Sequence, residues 1–90
     1  MHPRENIITP AVVDTLLQKY KVPEEKKPMM NDIISLYLCH ADSPKVFARK
    51  AREYTEQHNI SPTDARAALI IFTQVRDDIQ SILTQKANEN

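Results

Sequence analysis

Cys39-His40, with Asp42 two residues on and His58 further along, is the one grouping in this chain whose residue types could do covalent or metal chemistry. A thiolate nucleophile needs a base within hydrogen-bond reach and a third group to orient that base. Neighbouring positions on a helix point about 100° apart, so Cys39 and His40 do not face each other. A structural zinc site takes four soft ligands, normally in paired spacings. One cysteine and three histidines without such pairing do not supply it. These residues read as a small buried thiol and a partly exposed histidine at a helix end. No catalytic residue, metal or cofactor is expected, and His2 needs no role.

Acid–base work would need a tuned carboxylate, and Glu24-Glu25 and Asp77-Asp78 are the paired candidates. Asp77 and Asp78 fall on a helix side away from its apolar seam, where solvent keeps a carboxylate ordinary. Nothing around either pair suggests the burial or charge partner that catalysis requires. Both read as exposed acidic edges.

Phosphate binding is the third possibility. Lys45, Arg49 and Arg52 recur at i, i+4 and i+7, a basic stripe that could lie along a nucleic-acid backbone. The same helix places Glu53 four residues after Arg49 and Glu56 four after Arg52, the spacing of intrahelical ion pairs. Those pairs neutralise the stripe locally, and no aromatic residues interleave with it for base stacking. A solvated, salt-bridged face is the plainer reading, and nucleic-acid binding stands as the alternative.

The elements that position these residues announce themselves by their starts. Thr9-Pro10, Ser43-Pro44 and Ser61-Pro62 each join a capping oxygen to a proline whose φ already suits the first turn. Asp64, three residues after Ser61, completes a capping box and sets a negative charge at the positive end of the helix dipole. Four helices follow: about Pro10 to Lys21, about Met29 to Ala41, Pro44 to about Gln57, and Pro62 to about Gln85. Val22 to Pro28 reads as a charged connector with a proline near each end. Residues 1–8 and 86–90 read as frayed ends of a single domain. Pro44 could instead kink one long helix at a cost of about 3 kcal/mol, but the capping chemistry of Asp42-Ser43 favours a true break. No period-two pattern of useful length appears. The expected fold is all-α, a small four-helix bundle with a long C-terminal helix.

Composition narrows the function. Ninety residues bury only about 60–65% of the surface exposed on unfolding, so oligomerisation would help stability. Twelve basic against twelve acidic residues leave zero formal net charge, unlike a domain that grips phosphates. Glycine is absent, which removes the P-loop and the dinucleotide fingerprint along with glycine-dependent hairpin turns. A lone cysteine fits a reducing compartment. The N-terminal stretch has too few apolar residues for a signal peptide, and no window is apolar enough for a membrane span. A cytoplasmic protein with no small-molecule substrate is expected.

The run from Ser61 to Gln85 carries the positive signal. Ala65, Ala68, Phe72, Val75, Ile79 and Ile82 are spaced three, four, three, four and three, the rhythm of a helix laying one seam against a partner. Ala67, Leu69, Ile70 and Ile71 spread apolar character around most of the helix, and a helix greasy on nearly all sides is buried on nearly all sides. Bundle packing accounts for the seam. It accounts poorly for Ile70, on the far side from Phe72 and Ile79 and next to Ala67. The reading is therefore a non-catalytic protein–protein interaction module, such as an adaptor, chaperone or inhibitor. It would act as a homodimer or on a larger partner, with Ala67, Ile70, Phe72, Val75, Ile79 and Ile82 as contacts.

Ala48 to Leu69 resembles a piece of the histone fold. In that family a long helix ends, a short loop follows, and a Ser/Thr-led turn with an Asp starts the next helix, as in Ile60-Ser61-Pro62-Thr63-Asp64. The resemblance implies a loop-bracing role for Asp64, a handshake dimer, and DNA association through Lys45, Arg49 and Arg52. It covers about a quarter of the chain and rests on capping chemistry that many helices share. Pro44 departs from the family's unbroken central helix, and the last helix is about twice the expected length.

Overall fold

A computed structural model of the protein describes residues 7–88. Four α-helices and no strand occur among them: α1 (Pro10–Lys19), α2 (Lys27–Cys39), α3 (Pro44–Gln57) and α4 (Pro62–Asn88). The fold is a small all-α bundle. The expected frayed ends fall largely outside the described residues, with two corrections. Ile8 is buried in the core, and α4 continues three residues past Gln85.

The helix starts follow the capping signals, but not uniformly. The Val12 N–H donates to Thr9 Oγ1 at 3.3 Å, and the Asp64 N–H donates to Ser61 Oγ at 3.1 Å. Ser43 begins α3 with no side-chain capping bond. Val22 to Pro28 is not a plain connector. Glu24–Lys26 form a 3₁₀ turn that runs straight into α2, and Pro28 sits in the first turn, where the missing N–H has no partner to lose.

Two helices end without glycine by placing other residues in the left-handed region, Lys21 (φ 57°) and Asn59 (φ 52°). At the first, the Val22 N–H reaches the Leu17 carbonyl and the Lys21 N–H the Gln18 carbonyl, both at 3.0 Å. At the second, Ile60 reaches Thr55 at 2.9 Å and Asn59 reaches Glu56 at 3.3 Å. Both are Schellman ends, which satisfy the last free carbonyls and turn the chain back on itself.

The core is built from α1, α2 and α4: Val13, Leu16 and Leu17 meet Met30, Ile33, Ile34, Tyr37 and Leu38, and Ala68, Phe72, Val75 and Ile79 close over them. Helix α2 packs against every other helix, while α1 meets α2 and α4. Helix α3 contributes no fully buried residue. It docks on α2 chiefly through Phe47, whose ring packs edge-on to Tyr37 at 5.7 Å and stacks on Phe72 at 5.1 Å. As a whole α3 packs more on α2 than on α4, although α4 follows it in sequence. That asymmetry positions the site described next.

Candidate functional site

Cys39 ends α2 with an exposed side chain, where a buried thiol was expected. His40 caps the same helix. His58 follows α3 and lies against Tyr54, ring centroids 4.2 Å apart. Tyr54 in turn reaches Asp32, two turns and about 10 Å back along α2 from Cys39. Among the described residues no three His, Cys, Asp or Glu side chains converge as metal ligands. Nor, among the described residues, is any helix long and apolar enough to cross a membrane.

Of the paired acids, Glu24, Glu25 and Asp77 are exposed as expected, and Asp78 alone departs. Asp78 was expected on an open edge, but its side chain is only 24% exposed. One oxygen, Oδ2, accepts from Lys19 Nζ at 2.9 Å and from the Tyr20 hydroxyl at 2.8 Å, tying the end of α1 to α4. These two hydrogen bonds hold its carboxyl below the ordinary carboxylate range. The same contact raises Lys19 and Tyr20 above their ordinary values. Glu24 accepts from Lys27 at 2.8 Å beside the 3₁₀ turn. Across α2 and α3, the Tyr54 hydroxyl donates to Asp32 at 2.7 Å. Burial, helped by that bond to a carboxylate, pushes the Tyr54 phenol up to about 12. Gln80 donates to the Tyr37 hydroxyl and links α4 to α2.

The seam of α4 turns inward. Phe72 (3% exposed), Val75 (0%) and Ile79 (0%) lie in the chain's own core. The expected place of Val75 and Ile79 on a partner interface is corrected accordingly, since a partner could touch them only by opening the bundle, whereas Phe72 also lines a groove. Ile82 packs partly buried against the same core, and Ala67 is half-buried. Ile70 behaves as its position on the far side implied, with 60% of its surface exposed.

Leu69, equally exposed at 60%, was not among the expected contacts. It forms one wall of an apolar groove of about 360 Å³ between α3 and α4. Ala48, Ala51 and Thr55 of α3 face Ala65, Ala68 and Phe72 of α4 across it, with Ile33 of α2 beneath. Small residues on both helices leave the space unfilled. Past Phe47 and Phe72 the depression continues towards His40, Arg76 and Gln80. The alanines of the third helix and Leu69 on the flank of the fourth were visible as residues. That no side chain would cross between them was not.

Of the basic stripe, Arg52 lines this groove. Lys45, Arg49 and Arg52 are exposed on α3, and Arg49 reaches Glu53 at a loose 3.9 Å. The expected Arg52–Glu56 pair does not form: Arg52 makes no ion pair among the described residues and lies along the groove wall. The break at residues 40–43 between α2 and α3 leaves no single long central helix, the element the histone resemblance required. Compared with known proteins, the chain matches no family model, no curated protein and no solved structure.

Proposed function

We propose that this protein is a non-catalytic interaction module that binds another protein through the face formed by α3 and α4. The observation that carries the reading is the adjacent pair Leu69 and Ile70, each 60% exposed, with Leu69 lining an apolar groove. Scattered apolar residues on a surface need no explanation, but two adjacent large ones, one of them lining an apolar groove, support a binding face. Asp78 and Asp32 fit the same reading, because they are engaged with Lys19, Tyr20 and Tyr54 in holding helices together. A single, exposed thiol suits a reducing, cytoplasmic setting.

The test is affinity capture from the native host with the wild-type chain and with Leu69→Asp/Ile70→Asp. Both side chains are exposed, so the variant is expected to keep its helical circular dichroism and melting temperature while losing a stoichiometric partner. An unchanged partner set with a folded variant would sink the reading. Self-association is a second reading, favoured by the placement of Leu69 beside the groove that a second copy could fill. Sedimentation as a 10.4 kDa species at micromolar concentration would remove it.

A further inference from the structure

Helix α3 is joined to the bundle differently from the other helices. Each of α1, α2 and α4 buries at least three apolar side chains in the common core, whereas α3 buries none completely. Phe47 fastens its opening turns by packing on Tyr37 and Phe72. The Tyr54 hydroxyl fastens its last turn to Asp32 at 2.7 Å. Between them, Ala48, Ala51 and Thr55 leave a groove of about 360 Å³ against Ala65, Ala68 and Leu69. The middle of α3 therefore forgoes the close contacts that hold packed helices together. The Arg49–Glu53 pair on its outer face is loose and exposed, and such pairs add little.

The topology lets this helix leave without moving its neighbours. Ile33 of α2 shares a groove with Ala65 and Ala68 of α4, and one turn further on Tyr37 meets Phe72 and Gln80. Helices α2 and α4 thus run in the same direction, and α3 is the return connection between them. Extended, residues 40–61 span about 70 Å, against about 21 Å along α3 itself, so melting α3 does not pull α2 from α4. The chain breaks at both ends of it, at residues 40–43 and at Asn59, whose φ is 52°. A detached helix of this length is marginal in water, so detachment and melting are one event. We infer that α3 is a hinged cover that detaches and melts as one unit while α1, α2 and α4 stay folded. Its opening uncovers the faces of Tyr37 and Phe72 on which Phe47 rests, a state short of global unfolding.

Native-state hydrogen exchange of the full-length ¹⁵N-labelled protein, followed through low urea concentrations, tests this. Amides from Ala48 to Gln57 are expected to share one isotherm, with protection at least about tenfold below that of Leu17, Ile34, Val75 and Ile79. Its urea dependence should be a minor fraction of the global slope, because only α3 and the surface beneath it are exposed. Two variants separate this opening from global unfolding. Val13→Ala removes packing between α1 and α2, away from α3. It should lower core protection about tenfold and leave the α3 amides unchanged. Tyr54→Phe removes the bond to Asp32 and should lower α3 and core protection together, by about threefold or more.

Equal protection of α3 and core amides in the wild-type chain would overturn the inference, since α3 would then open only with the whole molecule. A fall in α3 protection under Val13→Ala would overturn it for the same reason. Separate isotherms for the individual α3 amides would mean fraying in place of a unit. A core response to Tyr54→Phe that the α3 amides do not share would set that bond outside the opening and sink the cover as drawn.

Discussion

Asp78 shows what a single residue's neighbours can change. In the sequence it is one of two adjacent acids on the polar side of a helix, and solvent is its natural environment. In the fold the end of α1 arrives beside it, and Lys19 and Tyr20 close on one carboxylate oxygen. No spacing rule links positions 58 and 59 residues apart. Tyr54 gains Asp32 across two helices in the same way. These contacts make stability depend on pH at both ends. Asp78 lies below its ordinary value of 3.8, so its contribution is present above that pH and is lost as pH falls through the lowered value. The Tyr54 phenol is raised from 10.0 to about 12, so its contribution is full below pH 10 and is lost as pH rises towards 12. Tyr20 and Lys19 act in the same alkaline direction. Urea midpoints measured across this range should decline from neutrality towards pH 12. Tyr54→Phe should decline less steeply, and an identical alkaline slope would rule out the Tyr54 contribution.

At the scale of elements, the starts were the most legible feature and the ends the least. Three Ser/Thr-Pro pairs mark α1, α3 and α4 at Pro10, Pro44 and Pro62, because a cap and a preset φ act within one turn and need no distant partner. The start of α2 differed, since Pro28 was read as the last residue of a connector and lies instead in the helix's first turn. The ends depend on Lys21 and Asn59 adopting positive φ, and a chain without glycine gives little notice of that. The identical spelling of the starts also conceals a difference. Ser61 accepts from the Asp64 N–H at 3.1 Å, whereas Ser43 makes no capping bond through its side chain. Ser61→Ala is therefore expected to destabilise the protein by about 1 kcal/mol, and Ser43→Ala by clearly less. Denaturant midpoints of the two variants compare them directly, and equal losses would contradict the capping difference.

For the whole molecule, one buried cluster joins α1, α2 and α4, with α3 applied to its side. Ile79 is wholly enclosed in that cluster. Ile79→Ala should cost about 2–5 kcal/mol, a large fraction of the roughly 5–13 kcal/mol a protein of this length holds. Thermal unfolding followed by circular dichroism would show it as a large drop in melting temperature. A small drop would mean the cluster can collapse around the missing atoms. A charge at position 79 therefore tests folding, while one at position 69 or 70 tests binding.

The sequence by itself determined the all-α class, four helices with most of their boundaries, and a C-terminal helix with more apolar surface than one seam requires. Each of these follows from interactions within a few residues: capping, helical periodicity, and the absence of glycine. Ile70 was legible for the same reason, since its angle from the seam is set by its own helix. Only the tertiary structure decided which other angles were covered. Helix α2 and helix α1 occupy the seam of α4, so Phe72, Val75 and Ile79 became core. Helix α3 leans on α2 and stands off from Leu69, so a groove opened where a filled contact was equally compatible with the pattern. Periodicity gives the direction of a side chain, but coverage depends on the distance to a neighbouring helix, and that distance is set by side chains far apart in the chain.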